Sequence, residues 1–268
     1  MPQTYAINLE FIGTHYRGWQ RQQHDPATIQ QTLETAFSKV ANEPVEIVAS
    51  GRTDAGVHAS NMLAHFCTHA KREPYNWVRG VNALLPNDIA IRAITPMSDD
   101  FHARFSAIAR RYRYVTLNQV FRPAILYGQV THEYTPLNLE KMQQACQFLV
   151  GTHNFTSFRA SQCQSRQPVR HVHFANLIRH GDFIVLDIQA DGFLHHMVRN
   201  IMGSLFSIGR GEHEPEWINE LILAEDRTQA SPTAAADGLY FINALYPQNF
   251  QQALPNLHLS PVWLNLTE

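Results

Sequence analysis

Two charged side chains lie close together in one open loop of the sequence, and their types suit chemistry. Residues 49–60 read ASGRTDAGVHAS, which places Arg52 and Asp54 two positions apart among small residues. Gly51 and Gly56 let the backbone turn sharply and leave room for a substrate. A carboxylate in such a loop can act as a base or a nucleophile. Taken alone, however, an aspartate in a glycine-containing loop is more often part of an Asx turn or a helix cap.

A second charged group lies among apolar residues. Arg199 belongs to the stretch FLHHMVRNIMGSL, whose apolar spacing predicts a helix over residues 193–208. Burying an unpaired arginine is costly, so Arg199 should seek a carboxylate. A bidentate pair would keep that carboxylate ionised and fixed in direction. The alternative is a surface arginine whose aliphatic stem covers apolar groups.

The two histidines before Arg199 do not predict a metal site. Adjacent residues of a helix point in different directions, and no third ligand follows His195 and His196 at the spacing of a zinc protease. We interpret these histidines as packing or RNA-contacting groups.

Aromatic and basic residues alternate in the stretch ARRYRYV. On a strand, Tyr112 and Tyr114 would share one face, and Arg111 and Arg113 the other. An aromatic ring beside cations can stack on a nucleobase. The alternative is that both tyrosines belong to the core, and for Tyr114 we prefer that interpretation. The polar loops at 15–22 and 151–170 could likewise grip a phosphate backbone or be ordinary surface loops.

Composition limits the class of protein. The chain has 268 residues, of which 44% are hydrophobic, enough for one large domain or two smaller halves. No apolar run is long enough for a membrane helix, and the N-terminal residues read as a strand rather than a signal peptide. The three cysteines, Cys67, Cys146 and Cys163, form no CxxC pair, which favours a reducing cytoplasm over a disulfide framework.

Charge is unevenly distributed although the net charge is only −2. Residues 101–132 and 141–181 each carry five cations, and the acidic residues gather instead around 212–226. The cations of the two segments are Arg104, Arg110, Arg111, Arg113 and Arg122, then Lys141, Arg159, Arg166, Arg170 and Arg179. Such segregation predicts a basic face, with chance clustering as the alternative.

Hydrophobic periodicity predicts an α+β fold. Strands are predicted over 3–12, 45–49, 62–68, 89–95, 111–118, 170–179, 182–190 and 239–246. Helices are predicted from Asp25-Pro26 to Val40 and over 74–84, 139–149, 193–208 and 215–224. The order is βαββαβ twice, with antiparallel sheets and helices packed on one side. The tail after Pro247 reads as irregular.

The repeated order divides the chain into two ferredoxin-like or RRM-like halves. We expect an N-terminal half at 1–105, which carries the loop at 50–60, and a C-terminal half at 106–268. A cleft between two such halves is a natural ligand site. From spacing alone, the sequence indicates a nucleic-acid-binding enzyme. It carries no GxGxxG, Walker, GxSxG or HExxH motif.

Several motifs in order along the chain resemble one family. SGRTDAGVHA closely resembles the catalytic loop of the TruA family of tRNA pseudouridine synthases. The similarity continues through YRGWQRQ, FHARFSAIARRYRY, GTHNFTSFRASQCQS, DGFLHHMVRNIMGSL and DGLYFINALYP, and so covers nearly the full length.

The resemblance implies a pseudouridine-synthase fold, a homodimer, no metal and no organic cofactor. It implies conversion of uridine to pseudouridine at positions 38, 39 and 40 of the tRNA anticodon stem-loop. By the same resemblance Asp54 is the catalytic aspartate, Arg52 assists base flipping, and Tyr112 stacks on the target uracil. Arg199 pairs with the aspartate, and Leu239 forms an apolar wall of the pocket.

The chemical route stays open. An ionised carboxylate can attack C1′ of the ribose, add to the base, or remove a ribose proton to form a glycal. Three rival functions also remain: a pseudouridine synthase for another RNA, a noncatalytic protein with two RRM-like halves, and a glycoside hydrolase. The last usually needs two carboxylates, and only Asp54 has a suitable setting.

Overall fold

The computed structural model describes residues 2–257, which divide into two compact units. The first unit comprises residues 2–109 and 241–257, and the second comprises residues 110–240. Helices and mainly antiparallel strands build both units, so the predicted α+β class is confirmed.

The first unit begins with a strand–helix–strand arrangement that its apolar residues dictate. Its elements are β1 (Gln3–Phe11), α1 (Ile29–Ala41), β2 (Val48–Ala49), β3 (His58–Thr68), α2 (Pro74–Asn82) and β4 (Ile89–Met97). Strand β1 is central and pairs antiparallel with β3 on one side and β4 on the other. The short β2 pairs with β3. The sheet therefore places both ends of the segment 50–57 beside β3.

An aromatic cluster fills the core of the first unit. The Tyr5 and Phe66 rings stack with centroids 5.3 Å apart, and Phe37 of α1 meets Phe66 edge-on at 4.8 Å. Trp77 of α2 packs against the same rings and is fully buried. Large buried rings contribute much apolar area, so this cluster gives the sheet a firm base.

Helix α1 begins three residues later than Asp25-Pro26 predicts. Thr28 is the N-cap, since its Oγ1 accepts a hydrogen bond from the backbone N–H of Gln31. The Asp25 side chain instead accepts from the N–H of Ala27 in a tight turn. Both side chains are suitable caps, and the turn at Asp25 uses its carboxylate first.

The second unit is built around a four-stranded antiparallel sheet. Its elements are β5 (Ala109–Asn118), β6 (Thr131–Glu133), α3 (Leu139–Gln147), β7 (Gly151–Asn154), β8 (Val169–His180), β9 (Phe183–Ala190), α4 (Met197–Gly209), α5 (Trp217–Ala224) and β10 (Leu239–Leu245). Within the unit the strand order is β5-β9-β8-β7, and β6 adds to β5 in parallel. Strand β10 crosses the boundary, because its last residues belong to the first unit.

The predicted hairpin of the second unit is confirmed. His180 pairs with Phe183 across a two-residue turn, and Gly181 has φ of +57° there. Positive φ in a two-residue turn is what a glycine permits at least cost.

Other elements also differ from the prediction. Helix α4 begins at Met197 rather than 193, because His196 takes a left-handed φ of 61° that helical backbone excludes. Strands β6 and β7 were missed, since three or four residues show no periodicity. The tail predicted to be irregular contains a short helix, α6 (Gln248–Gln251), and its residues 258–268 lie outside the described part.

Two broad expectations concern the membrane and the cysteines. Among residues 2–257, no helix is both long and apolar enough to span a bilayer. Cys67, Cys146 and Cys163 are all free thiols, as the absence of a paired spacing predicts. Burial raises the pKa of Cys146 to about 12, which makes it an inert core residue.

Candidate active site

The loop that carries Asp54 is a short connection anchored at both ends. The N–H of Ser50 donates to the carbonyl of Leu63 at 2.8 Å, which ties the start of the loop to β3. The N–H of Val57 donates to the carbonyl of Asp54 at 3.2 Å and closes a turn. Between these anchors the Arg52 side chain is exposed and Asp54 is half-buried. The loop thus presents a guanidinium and a carboxylate at the surface of a rigid sheet.

The segment at residues 13–19 supports this loop through backbone contacts. The N–H of Trp19 donates to the carbonyl of Thr53 at 3.0 Å, and the N–H of Gly56 donates to the carbonyl of Tyr16 at 3.3 Å. The bonded residues of the loop, Thr53 and Gly56, lie one and two positions from Asp54. The position of the Asp54 backbone is therefore set by a separate part of the chain.

Two glycines make that close approach possible. A Cβ atom on Gly13 would lie 2.0 Å from the carbonyl oxygen of Val57, and one on Gly18 would lie 2.6 Å from that of Thr53. Gly18 also has φ of +89°, where side chains other than glycine are strained. The sequence interpretation missed this support, although the glycine in YRGW is its visible signal.

The support segment is itself fixed to the first unit. The Trp19 side chain is 2% exposed, and its ring packs against Phe11. The Tyr16 hydroxyl donates to Asp88 at 2.7 Å; burial and this carboxylate raise the pKa of Tyr16. The tyrosine therefore stays protonated, and its hydroxyl ties the segment to Asp88.

The arginines of the loop at 15–22 are not isolated cations. Arg17 pairs with Asp25 at 3.2 Å, and Arg21 pairs with Glu34 at 2.8 Å. These ion pairs reduce the net positive charge that the loop at 15–22 can offer to a phosphate.

In the second unit, Arg199 lies in the first turn of α4 and is half-buried. Its Nε donates to the carbonyl of Ala234 at 2.9 Å, and the N–H of Ala234 donates to the carbonyl of Arg199 at 3.1 Å. This reciprocal pair fixes the root of the guanidinium. Arg199 is therefore not a freely moving surface arginine.

The segment before β10 positions several site residues. Besides holding Arg199, it accepts a hydrogen bond from the Tyr114 hydroxyl at the carbonyl of Ala235, at 2.8 Å. A Cβ on Gly203 would lie 2.1 Å from the carbonyl oxygen of Pro232. Contact this tight means that helix α4 lies directly against the segment. Sequence interpretation missed this role, because the partners are some 30 to 120 residues apart.

The two tyrosines of β5 have different surroundings. Tyr112 is opposite Ile188 in the sheet, and its ring meets Phe193 edge-on at 5.0 Å. Tyr114 is fully buried, with its hydroxyl bonded to Thr131 at 2.6 Å as well as to Ala235. Burial raises the pKa of Tyr114. The prediction that Tyr114 belongs to the core is confirmed.

The arginines of β5 form an ionic cluster with one aspartate of β9. Arg111 Nε and Arg113 Nε donate to the Asp187 carboxylate at 2.7 and 2.9 Å. Arg113 is completely buried and Asp187 is 2% exposed. Both cations share a face, as the alternation predicts, but they bind protein rather than forming a basic surface.

Leu239 is the first residue of β10 and is 5% exposed. Its N–H donates to the carbonyl of Ala236 at 2.9 Å. The neighbouring Gly238 allows close approach to β5, because a Cβ there would lie 2.4 Å from the carbonyl oxygen of Val115. The leucine is therefore held at a fixed position on the sheet.

The two histidines before α4 lie in a turn rather than on the helix. His196 is the N-cap residue, and the His195 and His196 rings are 4.1 Å apart. The expectation that their side chains point in different directions was therefore wrong, because the helix starts after them. The ring of His195 is exposed.

Comparison with known proteins gives one consistent result. A family model described as tRNA pseudouridine synthase matches residues 7–106 and 145–247. The chain is 56% identical over 268 residues to the tRNA pseudouridine synthase A of Acinetobacter baylyi, covering 100% of this chain and 98% of that protein. It is 52% identical over 259 residues to the protein of the same name from Vibrio cholerae, covering 97% of each. Among solved structures, an archaeal box H/ACA sRNP Nop10-Cbf5 complex aligns with 76% of this chain and 44% of that chain, at 12% identity and a TM-score of 0.37, too low to support an argument.

Proposed function

Because the chain belongs to the tRNA pseudouridine synthase family, we propose that it isomerises uridine to pseudouridine at positions 38, 39 and 40 of the tRNA anticodon stem-loop. The observation that carries this proposal is the family match, which spans 7–106 and 145–247. These ranges include the loop of Asp54, the helix of Arg199 and the strand of Leu239.

The reaction needs the target base outside the helical stack. Swinging a nucleotide out costs a few kcal/mol in lost stacking and pairing. We assign Arg52, exposed on the loop, to hold the space that the base leaves. Its position two residues from Asp54 suits a group that acts at the same nucleotide.

In the proposed reaction, Asp54 acts on the extruded uridine. The N1–C1′ bond breaks, the uracil turns, and C5 bonds to C1′; N1 gains the proton that C5 loses. No atoms are added or removed, so the reaction needs no redox partner. The support from residues 13–19 favours this role, since a catalytic carboxylate must be held in a fixed direction.

Three other residues complete the proposed site. Arg199 pairs with Asp54 and holds the carboxylate in a fixed direction; its anchored root at Ala234 suits that task. Tyr112 stacks on the uracil as the base turns. Leu239 excludes water, which would otherwise capture the cleaved sugar. We also propose that the chain as a whole comprises an N-terminal domain at 1–105 and a C-terminal domain at 106–268.

The first prediction concerns Asp54. We expect Asp54→Asn to abolish pseudouridine formation while tRNA binding stays close to wild type, because the amide keeps the shape and loses the charge. Purified protein would be incubated with unmodified tRNA transcripts, and pseudouridine mapped by carbodiimide adducts and primer-extension stops. Asp182→Asn, at the exposed β8–β9 turn, is the matched control and should keep full activity.

The outcomes separate the rival functions. Stops at positions 38–40 that vanish with Asp54→Asn support the proposal. Stops at other uridines would keep the chemistry and change the target. Salt-sensitive tRNA binding without any stops would favour a noncatalytic RNA-binding protein and would overturn the enzymatic role.

The second prediction concerns Arg199. Arg199→Met keeps the aliphatic stem and removes the charge and the bond to Ala234. We expect a modest loss of stability, about 1 kcal/mol for one hydrogen bond, and a loss of kcat of about a hundredfold or more. Arg179→Met, which removes another backbone-bound arginine of the second unit, is the control. Wild-type turnover by Arg199→Met would show that the arginine is only structural.

The working form of the protein is also part of the proposal. We propose a cytoplasmic homodimer in which one subunit holds the tRNA body while the other acts on the anticodon arm. The free thiols suit a reducing compartment, and the tRNA substrate is found there.

A further inference from the structure

Three neighbouring rings lead from the core of the first unit to its surface. The buried ring of His65 lies 4.6 Å from that of His102. The His102 ring in turn stacks on Phe105, with centroids 4.3 Å apart and planes inclined by 28°. Phe105 ends the series and is 75% exposed. We refer to His65, His102 and Phe105 as the ring column.

A network of hydrogen bonds fixes the outer turn of the column. His102 Nδ1 accepts from the N–H groups of both Arg104 and Phe105, each at 3.2 Å. The N–H of His102 donates to Ser106 Oγ at 3.1 Å, and the N–H of Ser106 donates to the carbonyl of His102 at 2.9 Å. The backbone that carries Phe105 is therefore rigid, so binding there costs little ordering entropy.

The same turn is tied to the core from beneath. The N–H of Ala103 donates to His65 Nδ1 at 3.2 Å, and the Tyr246 hydroxyl donates to the carbonyl of Ala103 at 2.7 Å. The ring of Phe101 packs on Tyr246 at 5.4 Å. The exposed ring thus stands on a well-packed foundation.

A guanidinium accompanies the exposed ring. Arg104 is exposed, and its Cζ lies 5.5 Å from the centre of the Phe105 ring. A single exposed phenylalanine is ordinary. Phe105 is different, because the turn and the stacked ring hold it in place although most of it stays exposed. Such an arrangement adds little to the core and suits the binding of a ligand. Aromatic rings and guanidinium planes both stack on nucleobases.

We propose that Phe105 and Arg104 form a stacking platform for an unpaired nucleobase of the tRNA, separate from the residues assigned to the target uridine. The proposal rests on tRNA being the substrate. A base fits better than a phosphate, because Asp99 and Asp100 are exposed just before the turn and would repel an anion. A base also fits better than a protein partner, since one ring and one guanidinium offer a small, flat surface.

Replacement of the ring tests the platform. Affinity for unmodified tRNA transcripts would be measured by filter binding for wild type, Phe105→Ala, Phe105→Leu and Phe105→Trp. We expect affinity to fall about tenfold for the alanine and leucine variants and to stay at or above wild type for tryptophan. The log–log slope of affinity against salt should not change, because no phosphate contact is lost. Tyr75→Ala, which removes another exposed aromatic of this unit, should bind as wild type.

A spectroscopic readout separates stacking from general damage. The indole of Phe105→Trp should be quenched on addition of tRNA by more than the background in wild type. Wild-type affinity of Phe105→Ala and Phe105→Leu would overturn the platform, as would an equal loss with Tyr75→Ala. A change in subunit association with unchanged tRNA affinity would also overturn it, in favour of a protein contact.

The test is independent of catalysis. If wild type forms pseudouridine but does not need Phe105 for binding, the platform fails and the proposed function stands. If Phe105 supports tRNA binding and no pseudouridine forms, the platform stands and the proposed function fails.

Discussion

Position in the fold, more than residue type, separates the two tyrosines of ARRYRYV. Tyr114 bonds its hydroxyl to Thr131 and Ala235 inside the core, whereas Tyr112, which is also buried, packs its ring edge-on against the half-buried Phe193. The alternation in the sequence predicts their common face, but the partners of each ring lie far along the chain, so the sequence does not reveal them. Tyr112 is 9% exposed and Tyr114 is not exposed at all, which favours Tyr112 for the stacking role.

A buried histidine of the ring column predicts a pH dependence of stability. Burial, and secondarily the neighbouring His102, lower the pKa of His65 from its usual value to about 4. The unfolded chain therefore binds a proton between pH 6.5 and pH 4 that the folded protein rejects, and the free energy of unfolding falls as pH is lowered through that range. Urea unfolding of wild type and His65→Gln at a series of pH values would measure it. We expect the decline to be shallower in the variant; equal slopes would show that His65 does not contribute.

At the scale of the element, the segment at 13–19 acts as a support for the loop of Asp54 more than as a basic loop. Its glycines closely approach the carbonyls of Thr53 and Val57, and its one arginine, Arg17, pairs with Asp25. Two backbone segments can come this close only where a residue has no side chain, as glycine does. A substitution in the support segment should therefore also displace the loop of Asp54.

Substitution of Gly18 tests that coupling. Gly18→Ala imposes a positive φ on alanine and a clash with Thr53, whereas Gly211→Ala imposes a similar φ of +78° with nothing within 4 Å. We expect a loss of about 1 kcal/mol in unfolding free energy for Gly211→Ala and a further loss of about 1–3 kcal/mol for Gly18→Ala from overpacking. Only Gly18→Ala should also lower kcat. Calorimetry and the pseudouridine assay would show it, and unaltered kcat in a folded Gly18→Ala would contradict the support role.

How far the sequence predicts the elements depends on how local their causes are. The apolar stripe of α1 and the alternation of β1 predict those elements within a few residues, because each pattern lies within its own element. The start of α4 depends on the backbone angle of a single residue, His196, and no periodicity reports it. The hold of Ala234 on Arg199 joins residues 35 positions apart, so only the folded chain reveals it.

At the scale of the whole molecule, runs of charge in the sequence overstate the basic surface. In the run at 101–132, Arg113 is buried and shares Asp187 with Arg111. In the run at 141–181, Lys141 pairs with Glu214, and Arg159 binds the carbonyls of Cys163 and Ser165. These cations thus neutralise a carboxylate of the protein or fasten a loop. Exposed members such as Arg122 and Arg166 remain for an external anion.

Salt dependence measures how many of those cations meet phosphate. Each phosphate contact contributes about −0.7 to −0.9 to the slope of log affinity against log salt. We expect a steep slope for wild type and a slope reduced by about one unit in Arg166→Gln. Arg21→Gln should leave the slope nearly unchanged, because that guanidinium already pairs with Glu34. A wild-type affinity that does not respond to salt would mean that stacking and shape, rather than this exposed charge, hold the tRNA.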